Sequence, residues 1–362
     1  MNLKNVFLIA ILVVSGMSYA ASGFEKNNKK KISFSLMTYN LENLFDTTHD
    51  LGKHDWTWLP LAFKKQSQEV QDYCNEMTNE YYKKDCLESD WSEKVMNQKI
   101  KNLSKVILSF DKGQGADVIV FEEIENINVM KLLIARGLSK SGYKYTALIE
   151  GPDTRGIDVG IISKYPIVST KYHEVNLAPH STRSTRGILE ARIQIRGKFV
   201  TVFANHWPSQ GNIDETRELA SLVLQKAAQN IKSGLVVAAG DFNTLRDDLP
   251  HGINNNIIPY FEDVEVMARK VKYVKSEGTH WYRGDWQSLD KIFVLKSSLS
   301  KTARVDHKSY EILSHDFMVR NVEWTNQDTG SSEQSENVPN RFNSKTGEGF
   351  SDHLPVAIKF SL

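Results

Sequence analysis

Apolar and polar positions along the chain fall into two periods. Ile32–Tyr39 alternates with the two-residue period of a strand. Val118–Phe121 is apolar at every position, which predicts a strand covered on both faces. Leu189–Ile195, Phe199–Ala204, Leu235–Ala239, Ile292–Leu295 and Pro355–Phe360 predict further strands. Trp91–Phe110 repeats at helical spacing instead, with Val95, Met96, Ile100, Leu103, Val106, Ile107 and Phe110 on one face. Asp90 followed by Glu93 predicts a capping box at its start. A second helix is predicted from about Asp214 to Ile231, with Gly234 where a C-terminal cap belongs. Strands alternating with helices, and no internal repeat, predict one α/β domain over residues 32–362. Residues 49–89 and the Ser/Asn/Gln/Gly-biased 321–349 are expected to be loops or insertions that decorate it.

Composition narrows the class. Among 362 residues, 25% are charged and 40% hydrophobic, so the chain can bury a sizeable core and disorder is excluded as its general state. With Gly at 21, Pro at 9 and Cys at 2, collagen-like and disulfide-dense classes are excluded too. The 45 Lys+Arg and 44 Asp+Glu nearly cancel, which argues against a broadly basic coat for nucleic acid. An anionic substrate must then be held by a local patch or a metal.

The N-terminus carries Lys4, the apolar run Val6–Val14 and Ser18-Tyr19-Ala20, which predict a signal peptide over residues 1–20. Such a run is too short for a bilayer, which needs roughly twenty apolar residues, so no transmembrane segment is expected after cleavage. A polar tail follows at 21–31, and the protein is expected to be secreted or periplasmic. An oxidising compartment predicts a disulfide between Cys74 and Cys86, worth about 3 kcal/mol if unstrained.

Polar residues cluster where the apolar runs stop. Ile32–Tyr39 is followed by Asn40-Leu41-Glu42, Val118–Phe121 by Glu122-Glu123, Phe199–Ala204 by Asn205-His206, and Leu235–Ala239 by Gly240-Asp241-Phe242-Asn243. Asp290 precedes Ile292, and Asp352-His353 precede Leu354-Pro355-Val356. A carboxylate against a buried strand needs a partner, because burying a lone charge is costly. If the strands alternate in direction, these ends meet on one rim of the sheets. Several carboxylates without matching lysines favour a hard divalent cation, and two histidines beside them offer proton transfer. That set suits attack of water on a phosphate ester. No His-Glu-x-x-His, P-loop or Gly-x-Ser-x-Gly pattern competes with it.

Taken in order, Tyr39-Asn40-Leu41-Glu42-Asn43-Leu44-Phe45-Asp46, Phe121-Glu122-Glu123, Asn205-His206-Trp207-Pro208-Ser209, Gly240-Asp241-Phe242-Asn243, Leu289-Asp290-Lys291-Ile292-Phe293-Val294 and Ser351-Asp352-His353-Leu354-Pro355 resemble the endonuclease/exonuclease/phosphatase superfamily, which includes pancreatic-type deoxyribonuclease and the abasic-site repair endonucleases. The Asn-Leu-Glu-Asn-Leu-Phe-Asp run, with Tyr282-Arg283-Gly284-Asp285-Trp286, resembles a bacterial branch that is often exported. The resemblance implies a four-layered sandwich of two packed mixed β-sheets flanked by helices.

It also implies roles. Glu123 resembles the metal-binding glutamate, with Glu122 behind it, and Asn40 the asparagine that supports metal and phosphate. Glu42 is either a second metal carboxylate or a turn residue, and Asp352 a metal ligand or a neighbour of one. Asp241 would orient or deprotonate the attacking water, and Asn243 would donate to a non-bridging phosphate oxygen. His353, held by Asp290, resembles the phosphate-contacting histidine. His206 takes the place of a second histidine poised to protonate the leaving oxygen, with Glu150 its candidate carboxylate partner. Arg186 resembles the arginine that opens a strand beside the site, and Arg183 competes for that place. Asp158 either touches the site or is a strand-edge charge. Trp281, Tyr282 and Trp286 either pack or stack on a base. The remaining histidines, His280 among them, lie in no motif and are expected at ordinary surface or loop positions.

These readings predict an exported phosphodiesterase that uses Mg²⁺, or in its place Mn²⁺ or Ca²⁺, and acts as a nuclease on DNA or RNA. The alternative substrate is a small phosphate ester or lipid headgroup, hydrolysed as in sphingomyelin- or inositol-phosphate-type enzymes. A second alternative is a non-catalytic binding protein on the same scaffold. The chain is expected to be a monomer.

Overall fold

The computed structural model describes residues 32–362, so the predicted signal peptide and polar tail lie outside the described residues. Along the chain, β1 (Ser33–Leu44) is followed by α1 (Leu61–Gln66), α2 (Gln68–Glu76), α3 (Glu80–Glu88), α4 (Glu93–Ser109), β2 (Val118–Ile124), α5 (Ile127–Gly137), β3 (Tyr145–Leu148) and β4 (Asp158–Ser163). Then come β5 (Ile167–His173), β6 (Ile188–Ile195), β7 (Lys198–His206), α6 (Asp214–Gln229), β8 (Leu235–Asp241), β9 (Phe261–Asp263) and α7 (Val264–Val271). The hairpin β10 (His280–Tyr282) and β11 (Asp285–Gln287) leads into β12 (Asp290–Leu295) and β13 (Arg304–Ile312). A second hairpin, β14 (Val319–Thr325) and β15 (Ser332–Pro339), precedes β16 (Val356–Ser361). No helix among the described residues is long and apolar enough to cross a membrane.

Two six-stranded mixed sheets form the frame, ordered β13-β16-β1-β2-β4-β3 and β5-β6-β7-β8-β12-β9. The apolar runs form strands here because both of their faces are covered. In β8, Leu235, Val237 and Ala239 enter the core between the sheets, while Val236 and Ala238 join the cluster under α6. β12 divides the same way, Ile292 and Val294 inward and Phe293 and Leu295 towards that cluster. Each large side chain so buried stabilises by roughly 1.5–3 kcal/mol. α4 buries Met96, Ile100, Leu103, Val106 and Ile107 and lies with α5 on the first sheet's side, which completes the four layers.

Three local expectations change. Residues 49–89 fold into α1–α3 around a small core of Trp56, Leu59, Val70, Cys74 and Cys86, and the two cysteines are bonded with Cα atoms 5.7 Å apart. Residues 321–349 contain most of the β14–β15 hairpin; β15 is polar from Ser332 to Asn337, and in β14 the alternation is carried by Val322 and Trp324 alone, too short a run to mark a strand. Asp90 does not cap α4. Its carboxylate accepts from Leu61 N at 2.9 Å, and Ser92 takes the N-cap position without a side-chain bond.

Register brings the polar ends together. His206 in β7 lies beside Asp241 in parallel β8, and Asp241 lies opposite Asp290 in antiparallel β12. In the other sheet Asn40 of β1 pairs with Glu122 of parallel β2. Gly240 makes the close approach possible. It has φ +146°, and a Cβ there would sit 1.9 Å from the Asn205 carbonyl oxygen, so only glycine fits.

Candidate active site

Strain marks the rim where the two sheets meet. Glu42, Asn43, Glu123 and Asn243 all have positive φ, between 47° and 62°, a region that is costly for residues other than glycine. Strict alternation would send Glu123 to the face opposite Glu122. The left-handed turn at Glu123 interrupts it, and the register of β2 shifts there against β4. Its carboxylate then lies 3.9 Å from His206 Nε2.

Asp241 is the hub. Its Oδ2 accepts from Asn40 Nδ2 at 3.1 Å and lies 3.7 Å from His206 Nε2, while Oδ1 accepts from the Asn243 amide at 2.9 Å. Asn40 is aimed by its own Oδ1, which accepts from Glu42 N at 2.9 Å. Burial pushes the Asp241 carboxyl up to about 7, against the opposing pull of His353. Asn243 gives one side-chain N–H to the Trp207 carbonyl at 3.2 Å, which leaves the other free.

His353 and Asp290 form the second pair, Nδ1 to Oδ2 at 2.7 Å. Burial pulls the imidazole down, but Asp290, Asp352 and Asp241 outweigh it and hold His353 well above the usual histidine range. The pair is fixed from behind. Thr279 Oγ1 accepts from Asp290 N at 3.0 Å, and Ser351 Oγ donates to Asn40 O at 2.7 Å while accepting from His353 N. His206 stands in the opposite condition. Burial, then Arg186, Arg155 and His353, press it well below the usual range, so it is neutral.

Asp352 is held below the usual carboxylate range because His353 and Arg341 outweigh burial, and its Oδ1 lies 3.9 Å from His353 Nε2. The Glu42 carboxyl is pushed up to about 7 by burial and by Asp352. Arg341 Nε donates to Glu42 Oε1 at 2.7 Å, Phe342 N donates to Oε2 at 3.2 Å, and buried Lys99 donates to the Glu42 carbonyl at 2.5 Å.

The other expected residues separate clearly. Arg186 is buried, and its Nη1 donates to Asp153 at 2.8 Å and Nη2 to the Trp207 carbonyl at 3.1 Å. It therefore braces the turn after His206, whose Trp207 carbonyl also accepts from Asn243. Arg183 is exposed. Glu150 is exposed as well and does not reach His206, whose buried Nδ1 has no partner. Asp158 accepts from Gly151 N at 2.9 Å, and Glu122 accepts from Thr38 Oγ1 at 2.7 Å inside the inter-sheet space. Trp281 packs edge-on against Trp324, whereas Tyr282 remains 53% exposed. Cys74 and Cys86 lie in the α1–α3 core.

Some contributors carry no sequence signal. His280, expected at an ordinary loop position, is bridged to His353 through the backbone, with ring centres 4.7 Å apart. Asp153, Thr279 and Arg341 sit in no apolar period, and Lys99 lies within a helical one as a lysine on the buried side. The Thr-His pair just ahead of an aromatic hairpin is the one local hint for His280.

The donor set fits a hard cation. Glu123 accepts no hydrogen bond from the described residues and has Asp241 and Asn40 close by, an arrangement of oxygens that a divalent ion would complete. His280, Asp352 and His353 also bring ligand atoms within 4.8 Å of one another, but a histidine held protonated by Asp290 donates rather than ligates.

Comparison with known proteins agrees with this frame. No curated protein matches the sequence. Among solved structures the fold is similar to humanized D. rerio TDP2 (13% identity, 91% of this chain and 99% of that one, TM-score 0.51). It is also similar to a Bacteroides thetaiotaomicron mannosyl-6-phosphatase (14% identity, 91% and 100% covered, TM-score 0.52). A Staphylococcus aureus beta toxin variant with bound magnesium ions is similar too (15% identity, 90% and 99% covered, TM-score 0.50). The family model described as endonuclease/exonuclease/phosphatase matches residues 69–361, from α2 through β16; β1 lies ahead of the match and pairs with β2 and β16 inside it. The chain belongs to the endonuclease/exonuclease/phosphatase family.

Proposed function

We propose that the chain is an exported, metal-dependent phosphodiesterase that acts as a single protomer on nucleic acid. The observation that carries this reading is the meeting of Asp241, bound by Asn40 and Asn243, with the His353–Asp290 pair on one rim. A base beside a protonated histidine is what in-line attack of water on a phosphate ester requires. Asp241 takes the proton of the attacking water as its oxygen bonds to phosphorus. The P–O ester bond opposite breaks, and the leaving oxygen takes its proton from solvent. His353 Nε2–H and the free N–H of Asn243 donate to non-bridging oxygens as charge builds there. His206, being neutral, is a close neighbour of Asp241 and Glu123, at 3.7 Å and 3.9 Å, rather than the acid. Glu123, with Asn40 beside it, would hold Mg²⁺, which supplies Lewis-acid charge stabilisation when bound.

Tyr282 favours a nucleic acid. Its exposed ring lies 6.5 Å from His280, which abuts His353, so a base could stack at the lip of the site. The near-neutral charge of +1 favours the other reading, a lipid or sugar phosphate, since phosphate contacts dominate long-duplex affinity. Export is supported by the N-terminal apolar run and the bonded cysteines.

The test incubates mature protein with supercoiled plasmid, single-stranded DNA, RNA, sphingomyelin and a sugar phosphate, with Mg²⁺ or chelator, beside Asp241→Ala and His353→Ala. Metal-dependent nicking lost in both variants is expected. Release of a lipid headgroup or inorganic phosphate with intact plasmid would move the assignment to the small esters. A folded protein inert towards every ester would leave a binding protein.

A further inference from the structure

The acids of the rim divide into two groups by how their oxygens are used. Glu123 accepts no hydrogen bond from the described residues and faces His206. Glu42 and Asp352 are instead joined by one guanidinium. Arg341 Nε donates to Glu42 Oε1 at 2.7 Å, its Nη2 lies 3.4 Å from Asp352 Oδ2, and Phe342 N donates to Glu42 Oε2 at 3.2 Å. Behind them buried Lys99 donates to the Glu42 carbonyl. Both oxygens of Glu42 and one of Asp352 are therefore already engaged.

Arg341 arrives from the 321–349 segment, outside the two sheets, and lines a cleft of about 540 Å³ with Glu42, Trp58, Lys84 and Phe342. A planar guanidinium suits this place, because it offers several donors in a fixed fork that can span two carboxylates, whereas a lysine is a single point charge. A divalent ion seated on the same two carboxylates would meet that guanidinium at contact distance, and like charges so close repel strongly.

We propose that Arg341 takes the place of a second cation: this chain binds one divalent ion, on the Glu123 side, while Arg341 neutralises Glu42 and Asp352. The inference rests on the metal-dependent reading above and adds a count to it. Glu42 is then a partner of the arginine, and the charge that another ion would bring is supplied by the chain itself.

Mn²⁺ alone, titrated into the purified full chain by calorimetry and followed by electron paramagnetic resonance, tests this without turnover. Wild type is expected to bind one ion per chain and, at saturation, to give the spectrum of an isolated ion. Arg341→Met frees the Glu42–Asp352 pair and is expected to bind two ions, with the spectrum broadened by their coupling. Arg341→Lys keeps a charge there and is expected to hold one, as is Arg341→Met combined with Glu42→Gln. The Arg341 side chain is 60% exposed, so these variants should fold, and the wild-type spectrum is decisive even without them. Two ions in wild type, or one in Arg341→Met, overturns the proposal and leaves the functional reading standing. No ion in wild type overturns both.

Discussion

Two histidines on the same rim are held in opposite states. His353 lies on the carboxylate side, bonded to Asp290 with Asp352 and Asp241 near, and these acids keep it protonated despite burial. His206 lies on the arginine side, equally buried, with Nδ1 unpartnered and Arg186 and Arg155 pressing it neutral. The same side chain becomes a cation in one place and a neutral group a few residues' width away. What a histidine does in such a site is fixed by its burial together with the charges around it, and not by its residue type.

The largest effect should come from breaking the carboxylate side. Asp290→Asn removes the main support of the charged imidazole and is expected to cut kcat/KM by on the order of a thousandfold. Proton NMR of the metal-free variant should find His353 titrating near the ordinary histidine range, and retention of its high value would mean that other acids hold the charge.

A pH profile sharpens the contrast next. The Asp241 carboxyl stands raised from 3.8 to about 7, so it is protonated below that value and available as a base above it. Activity is expected to climb up to tenfold per pH unit on the acid side and to level off above. The limb should lie at or below 7 when cation is present, because positive charge favours the carboxylate. A rate that falls as pH rises through this window would rule out Asp241 as the base.

The arginine side should prove quieter. His206→Gln keeps a neutral polar group in a place where the imidazole makes no hydrogen bond to the described residues, and is expected to cost about tenfold at most. Were His206 the acid, the loss would be about 10²–10⁴-fold.

The smallest effect concerns stability. Glu122 lies beside Glu123 but is buried between the sheets, and burial raises its carboxyl well above the ordinary glutamate value of 4.5. The folded state keeps a proton that the unfolded chain releases, so wild type loses stability as pH rises above that ordinary value, at up to about 1.4 kcal/mol per unit. Glu122→Gln removes this penalty. It should melt higher than wild type, by a margin that widens from mildly acidic to neutral pH, and leave His353 protonated.

Much of this arrangement is legible in the order of the residues alone. Leu235–Ala239 and Ile292–Leu295 declare strands because each is apolar on both faces, and the polar residues at their ends declare a rim. The nearby charges that decide the two histidines are less visible. Asp153 and Arg341 act across long stretches of chain, His280 is placed by a hairpin, and Lys99 is a lysine on the buried side of a helix. Nothing in local periodicity encodes contacts that only the assembled sheets create. The β14–β15 hairpin escapes for a related reason, since β15 is polar over most of its length and reads as a loop.

The ladder between β8 and β12 that sets Asp241 opposite Asp290 also sets Ala239 opposite Ile292 and Val237 opposite Val294. A slip of one position would exchange the side chains packed between the sheets for those packed under α6, whose sizes differ, and drive the two acids out of line together. Mutational drift can therefore rewrite the loops around the mouth freely, but it cannot nudge these acids apart without first melting the interior that anchors them.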